Sequence, residues 1–381
     1  MDIPNNFMQN PHSFFPMNIQ NNFQPNPAQN NNFTNQINSN HNLNLNAKAF
    51  ISPKLYKNLK SPTKSNFQSN NNNLNSNGNT RIIEVYEENF IKEIKRIGKY
   101  LQTFPYIGMD TEFPGIVYPC PEFTPDFYYK FNRENVNNLK LIQLGITLTN
   151  DKGETPQNIS TWQFNLKFNI DQDDHSLESI TMLMNCGIDF EVIKKQGIPY
   201  DLFAEYFSIS GLVLNENVTW ISFNGLSDFC YLLKIVLNEN LPESEDKFLE
   251  KLKIYFPNIY DIKYLINDNE QYKGGLNKLA KELNVERTGE IHQAGSDSIV
   301  TSDVFFRLIK NNTITQSDLF GKKNIIYGIG KGTDINETLS YTQFAKDVDI
   351  GSYLNNMGMR NNNMNNYFNG QYYSNFQWFY I

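Results

Sequence analysis

Apolar and polar positions alternate with two different periods between residues 81 and 311. Within RIIEVYEENFIKEIKRIGKYLQTF, Phe90, Ile91, Ile94, Ile97, Leu101 and Phe104 recur at helical spacing, predicting an amphipathic helix over 88–104. YIGMDTEF (106–113) is short and apolar with embedded acids and reads as a strand. LKLIQLGITLT (139–149) and STWQFNLKF (160–168) alternate as strands, with a turn at Asn150–Asp151–Lys152–Gly153 between them. Three strands in succession predict an antiparallel meander. Beyond it, helices are expected over 176–184, 201–209, 227–238, 274–285 and 296–311, with strands at 218–223 and 258–262. In the last of these helices Ile299, Val300, Val304, Phe305, Leu308 and Ile309 fall on one side. No segment repeats. The pattern predicts a single α/β domain built on a mixed sheet.

Composition changes the picture at both ends. Residues 1–80 hold 25 Asn and 6 Gln, five Lys, no Arg and one acid, Asp2; residues 355–381 hold nine Asn, eight aromatics and one charge, Arg360. Such segments bury too little apolar surface to offset chain entropy. The expected organisation is therefore a disordered tail over 1–80, a folded domain over 81–350 and a second disordered tail over 351–381. The tails carry +4 and +1 of an overall −7, which leaves −12 on residues 81–354. Cys120, Cys186 and Cys230 are odd in number and widely spaced, which argues against a disulfide framework and a cysteine zinc site and for a reducing compartment. No apolar run approaches 18 residues and no signal peptide is evident, so an intracellular chain with no membrane association is expected.

Three segments carry candidate chemistry. Asp110 and Glu112 stand two apart in a strand, so both carboxylates project from the same face. Two acids held together repel unless a cation neutralises them. Asp228 lies in the first turn of the helix after VTWISF, and Asp297 in the first turn of the last helix, five residues after His292. Each of these, alone, is equally explained as an acid at a helix N-terminus. Together they make four carboxylates and one histidine, a ligand set for two oxygen-preferring cations with a base beside them.

MDTEFPGIV, FNRENVNNLKLIQLGITLTN, IYDIKYL, KGGLNKLAKELNVERTG and HQAGSDS also match a known pattern in order and spacing. The chain resembles the DEDD exonucleases of the RNase H-like fold, and within them the Caf-one (Pop-two) deadenylases of the CCR–NOT complex. The resemblance spans about 85–335. It implies an RNase H-like mixed sheet flanked by helices and a Mg2+- or Mn2+-dependent 3′-to-5′ exoribonuclease, which removes adenylates from mRNA poly(A) tails and releases AMP. Carried over by position, Asp110, Glu112, Asp228 and Asp297 would hold two divalent cations, and His292, on a mobile loop, would be the general base. The implied partners are poly(A) mRNA 3′ ends, a NOT scaffold subunit and a second deadenylase subunit, in the cytoplasm and nucleus.

One stretch departs from the pattern. Where the family has F-H-S-x-Y-D-F, this chain has Phe223–Asn224–Gly225–Leu226–Ser227–Asp228–Phe229. The acid keeps its place, while substrate contacts near Asn224 and Ser227 are changed. The alternatives are a DEDD nuclease acting on another RNA or DNA, and a weakly active subunit that docks on the NOT scaffold. The acidity of the domain implies weak binding to long nucleic acid, with affinity supplied by partner subunits.

Overall fold

The computed structural model describes residues 82–118 and 126–332; both expected tails lie outside them. Along the chain come β1 (Ile82–Val85), α1 (Glu87–Tyr100), β2 (Tyr106–Glu112), α2 (Phe127–Asn138), β3 (Gln143–Thr149) and β4 (Thr161–Asn165). Then follow α3 (Leu177–Asn185), α4 (Phe190–Gln196), α5 (Tyr200–Ile209), β5 (Thr219–Ser222), α6 (Leu226–Leu237) and α7 (Glu245–Tyr255). The last elements are β6 (Ile259–Asp261), α8 (Ile262–Leu265), α9 (Leu276–Glu282), α10 (Ala294–Lys310) and α11 (Gln316–Gly321).

The strands form one mixed sheet in the order β1-β4-β3-β2-β5-β6. The expected meander is present: β2 pairs antiparallel with β3, and β3 with β4. The β1–β4, β2–β5 and β5–β6 pairs are parallel. β1 was not anticipated, because four residues separated from a helix by Tyr86 alone show no readable alternation. α2, α4, α7, α8 and α11 have no counterpart in the predicted elements either. α7 buries only Phe248 and Leu252, and α2 is built from Phe, Tyr and Asn, which favour helix weakly. α1 ends four residues before the predicted limit. Pro105 disfavours helical backbone at the residue before it, yet Leu101 stays buried and Phe104 packs edge-on against Tyr100.

The period-2 alternation of the central strands gives the sheet two unlike faces. Ile107, Met109, Leu144, Ile146, Leu148, Trp162 and Phe164 join one apolar core with Phe90, Phe203, Phe229 and Phe248 from α1, α5, α6 and α7. The opposite face of the same strands carries Gly108, Asp110, Glu112, Gln143, Gly145, Thr147, Thr161, Gln163 and Asn165. α10 lies on this polar face. It approaches backbone to backbone: a Cβ on Gly145 would stand 1.8 Å from the Ala294 carbonyl oxygen, and one on Gly108 would stand 2.7 Å from that of Ser298. The contact is filled by small hydroxyls, with Ser298 Oγ 2.8 Å from Thr147 Oγ1. The other side of α10 packs Val300, Val304, Phe305 and Leu308 against Ile221, Ile262, Leu276 and Leu279 in a second core. Among the described residues no helix is long and apolar enough to cross a membrane.

This close approach yields a stability prediction. Gly145→Ala must push the start of α10 off the sheet, and thermal denaturation should show a loss of about 1–3 kcal/mol or more. Gly321→Ala is the comparison, since nothing lies within 4 Å of a Cβ there, and it should leave the melting temperature unchanged or slightly raised.

Candidate active site

β2 ends where Phe113 and Pro114 leave the sheet, so its last acids stand at a strand terminus facing α10. Glu112 is buried and Asp110 half-buried. Thr111, between them, points to the other face, where its hydroxyl donates to Oδ1 of Asp228. Asp228 is the third residue of α6 and is itself buried. Thr111 thus ties the acid of α6 to the strand that supplies the first two.

The loop that launches α6 is held from β6. Asn224 adopts a left-handed backbone, φ +58°, and Asp261 accepts the amides of Asn224 at 2.9 Å and Gly225 at 3.1 Å. The same carboxylate accepts from the Lys263 amide at 3.0 Å and from the Tyr327 amide at 3.1 Å. Asp261 therefore sets where Asp228 stands, although in sequence it was only part of a short strand.

Asp297 lies in the first turn of α10, as expected. Its Oδ2 accepts the His292 amide at 2.9 Å, and its Oδ1 pairs with Arg287 Nη2 at 2.7 Å. The loop expected to be mobile is thereby anchored, with His292 in left-handed backbone at φ +58°. Arg287 also donates from Nη1 to Ser296 Oγ at 2.9 Å and from Nη2 to Asn277 Oδ1. Sequence reasoning did not single it out. The signal available was that Arg287 is the only Lys or Arg between Lys281 and Arg307, next to acids that need a counter-charge.

One potential ligand atom each from Glu112, His292 and Asp297 lies within 4.8 Å of the others. Asp110 and Asp228 complete the set electrostatically. Burial, then the charges of Asp297, Asp228 and Glu112, hold the Asp110 carboxyl well above its ordinary range, offset in part by Arg287. Burial, then Asp297 and Asp228, does the same to Glu112. Burial pushes Asp228 up to about 7, against the Thr111 hydroxyl, which pulls it down. Arg287 is the counter-charge that Asp297 pairs with and Asp110 feels. Such a cluster keeps protons or takes cations, and carboxylate oxygens with one imidazole suit hard divalent ions such as Mg2+ and Mn2+. The geometry also gives His292 two available roles, ligand or base.

Phe113 and Ser227, the chain neighbours of Glu112 and Asp228, line a small cleft together with Asn132 and Tyr231. Ser227, which departs from the family pattern, donates to Asn132 Oδ1 at 2.6 Å, and Phe113 stacks on Tyr231 at 5.5 Å between centroids.

Comparison with known proteins shows the family and the fold. The profile of the CAF1 family ribonuclease matches residues 85–216 and 205–305. The probable CCR4-associated factor 1 homolog 7 of Arabidopsis thaliana is 42% identical over 259 residues, 66% of this chain and 94% of that protein. CCR4-NOT transcription complex subunit 7 of Caenorhabditis elegans is 42% identical over 237 residues, 60% of this chain and 76% of that protein. Among solved structures, S. pombe Pop2p in its Mg2+- and Mn2+-bound form superposes with a TM-score of 0.62 at 38% identity, covering 65% of this chain and 99% of that one. CAF1 co-crystallised with the yeast NOT1 MIF4G domain superposes with a TM-score of 0.56 at 29% identity, over 65% of this chain and 96% of that one. The fold is the expected RNase H-like exonuclease fold.

The raised acids predict a pH dependence for the metal-free chain. Their unfolded values lie near 3.8 and 4.5, so above that range the folded chain holds protons the unfolded chain has released. Stability then falls as pH rises above about 4, with the Asp228 contribution lost through about 7. Melting temperature in chelator should fall from pH 5 to pH 8. Asp228→Asn keeps an acceptor for Thr111 and should be more stable than the parent at pH 8, by an amount on the order of 1–4 kcal/mol. A variant that melts below the parent there would contradict the repulsion described.

Proposed function

As the chain belongs to the CAF1 family ribonucleases, we propose that it is a 3′-to-5′ exoribonuclease that shortens mRNA poly(A) tails and releases AMP, acting as a catalytic subunit of a CCR–NOT complex. One observation supports the reading: Glu112, His292 and Asp297 bring potential ligand atoms within 4.8 Å of one another, Asp110 feels the charges of Glu112, Asp228 and Asp297, and Arg287 pairs with Asp297. The catalytic domain is assigned to residues 81–350. Its partners are poly(A) 3′ ends, a NOT scaffold subunit and a second deadenylase subunit, in cytoplasm and nucleus. The relative whose name places it in a CCR4-NOT complex, and the NOT1 complex with CAF1, support that assembly.

Asp110, Glu112, Asp228 and Asp297 would hold two divalent cations, Mg2+ or Mn2+, which when bound activate water and stabilise the leaving oxygen of a phosphodiester. The chain's own residues do the rest. Thr111 fixes the rotamer of Asp228, and Arg287 with the His292 amide fixes that of Asp297. Neutral His292 accepts a proton from the attacking water, so activity rises with pH through the histidine range. Phe113, in the lining of the cleft, offers a stacking surface to a terminal base. Adenine stacks most strongly, which favours A-runs.

The test is purified protein with 5′-labelled RNA carrying an A-tail interrupted by C and U runs, with and without Mg2+ or Mn2+. Metal-dependent stepwise shortening that slows at the C and U runs is expected, and Asp110→Ala or Asp297→Asn should abolish it. Equal rates through A, C and U would indicate a general nuclease. No shortening by the parent chain would leave a subunit that docks on the scaffold. His292→Ala should lower the single-turnover rate by about 10²- to 10⁴-fold, with metal affinity unchanged if His292 is the base. Loss of metal in calorimetry would make it a ligand instead.

A further inference from the structure

The first amides of a helix have no partner within it, and α10 begins under the site without a side-chain cap. Its needs are met from the sheet. The Ala294 amide donates to Gln143 Oε1 at 3.3 Å and the Gly295 amide to Gln163 Oε1 at 2.8 Å. Both glutamines are buried on the polar face of β3 and β4. A primary amide serves this purpose only if its oxygen points to the helix, and nothing in the amide itself decides that.

Glu84 of β1 decides it. It is opposite Gln163 in the β1–β4 register. Its carboxylate accepts from Gln163 Nε2 at 3.0 and 3.2 Å and from Asn165 Nδ2 at 2.8 Å. All three contacts come from N–H donors, so the ionised form, which only accepts, is the one that fits. With its nitrogen drawn to Glu84, Gln163 must present its oxygen to Gly295. With its nitrogen drawn to Glu84, Asn165 presents its oxygen to Gln143 Nε2 at 2.8 Å, which turns the oxygen of Gln143 toward Ala294. The second proton of Gln163 Nε2 goes to Gln293 Oε1 at 2.9 Å, and Gln293 Nε2 then donates to the Cys186 carbonyl at 2.8 Å. Two hydrogen-bonded arms thus run from one edge-strand acid to the turn that carries His292 and Asp297.

We infer that Glu84 is a positioning residue for catalysis: it sets the polarity of the Gln163, Asn165, Gln143 and Gln293 amides, and through them the placement of His292 and Asp297. The inference rests on the site reading above. Glu84 itself is exposed and touches none of the proposed site residues, so its effect must travel through the amides.

Glu84→Gln is nearly isosteric but sets an amide nitrogen where one carboxylate oxygen now accepts, facing either Gln163 Nε2 or Asn165 Nδ2 donor to donor. The measurements are steady-state kinetics on A-tailed RNA with Mg2+, thermal melting, and hydrogen exchange at the Ala294 and Gly295 amides. The comparison is Glu93→Gln, which alters a buried acid of α1 bonded to Trp162 and Arg96 on the other side of the sheet. Glu84→Gln should lower kcat roughly tenfold with KM within about twofold, and should speed exchange at Gly295. Glu93→Gln should lose stability without losing kcat. An unchanged kcat in Glu84→Gln, or an equal loss in Glu93→Gln at the same melting temperature, would overturn the inference. Unchanged Gly295 exchange would overturn it whether or not the chain cleaves RNA, whereas retained activity in Asp110→Ala would overturn the site reading alone.

Discussion

Mutual repulsion among carboxylates crowded at the end of β2 is the constraint that the surrounding structure answers. Glu112, Asp228 and Asp297 are each less than a tenth exposed, and Asp110 feels all three. Left alone, such acids would swell apart or keep protons. They are held by bonds from groups that do not titrate: a threonine hydroxyl for Asp228, a backbone amide and a guanidinium for Asp297. The held geometry is an unmet demand for positive charge. Hard divalent cations are the ions suited to such a set of carboxylates, and this is the ground of the function proposed above.

Placing Asp297 there depends on α10 reaching the sheet more closely than side chains normally allow. Gly108 and Gly145 make that approach possible, and Ser298 with Thr147 fills the polar gap left between backbones. The two faces of the sheet divide the labour accordingly. The aromatic core behind Met109, Trp162 and Phe164 supplies burial, while the face under α10 spends its positions on amides, hydroxyls and acids. A polar face sealed this tightly has few ways to rearrange, so the turn that carries His292 and Asp297 inherits its rigidity from β3 and β4.

Much of this was legible in the sequence, for physical reasons. The meander followed from alternation, and the Asp110–Glu112 pair from strand period and an abrupt Phe–Pro ending. Asp228 and Asp297 were harder, since each is equally a helix-start acid; only their company and the family resemblance singled them out. Arg287, Asp261 and Glu84 were not legible. Arg287 acts across ten residues, Asp261 across more than thirty and Glu84 across about eighty, and none leaves a local pattern. The anchoring of His292 was likewise invisible, because it depends on a backbone amide folding back to Asp297. Ser227 was read as a departure, and the structure adds what it does instead, namely bond Asn132 beside the cleft.

A proposed ion site and a mere proton store differ in what these acids do when metal is added. Calorimetric titration of Mn2+ into metal-stripped protein, repeated at pH 6 in buffers of different ionisation enthalpy, tests the difference most directly. An ion site should bind two ions per chain with net release of protons, and should lose at least one ion in the Asp110→Asn, Asp228→Asn double variant. Absence of binding at millimolar Mn2+, or binding that the double variant leaves intact, would contradict it.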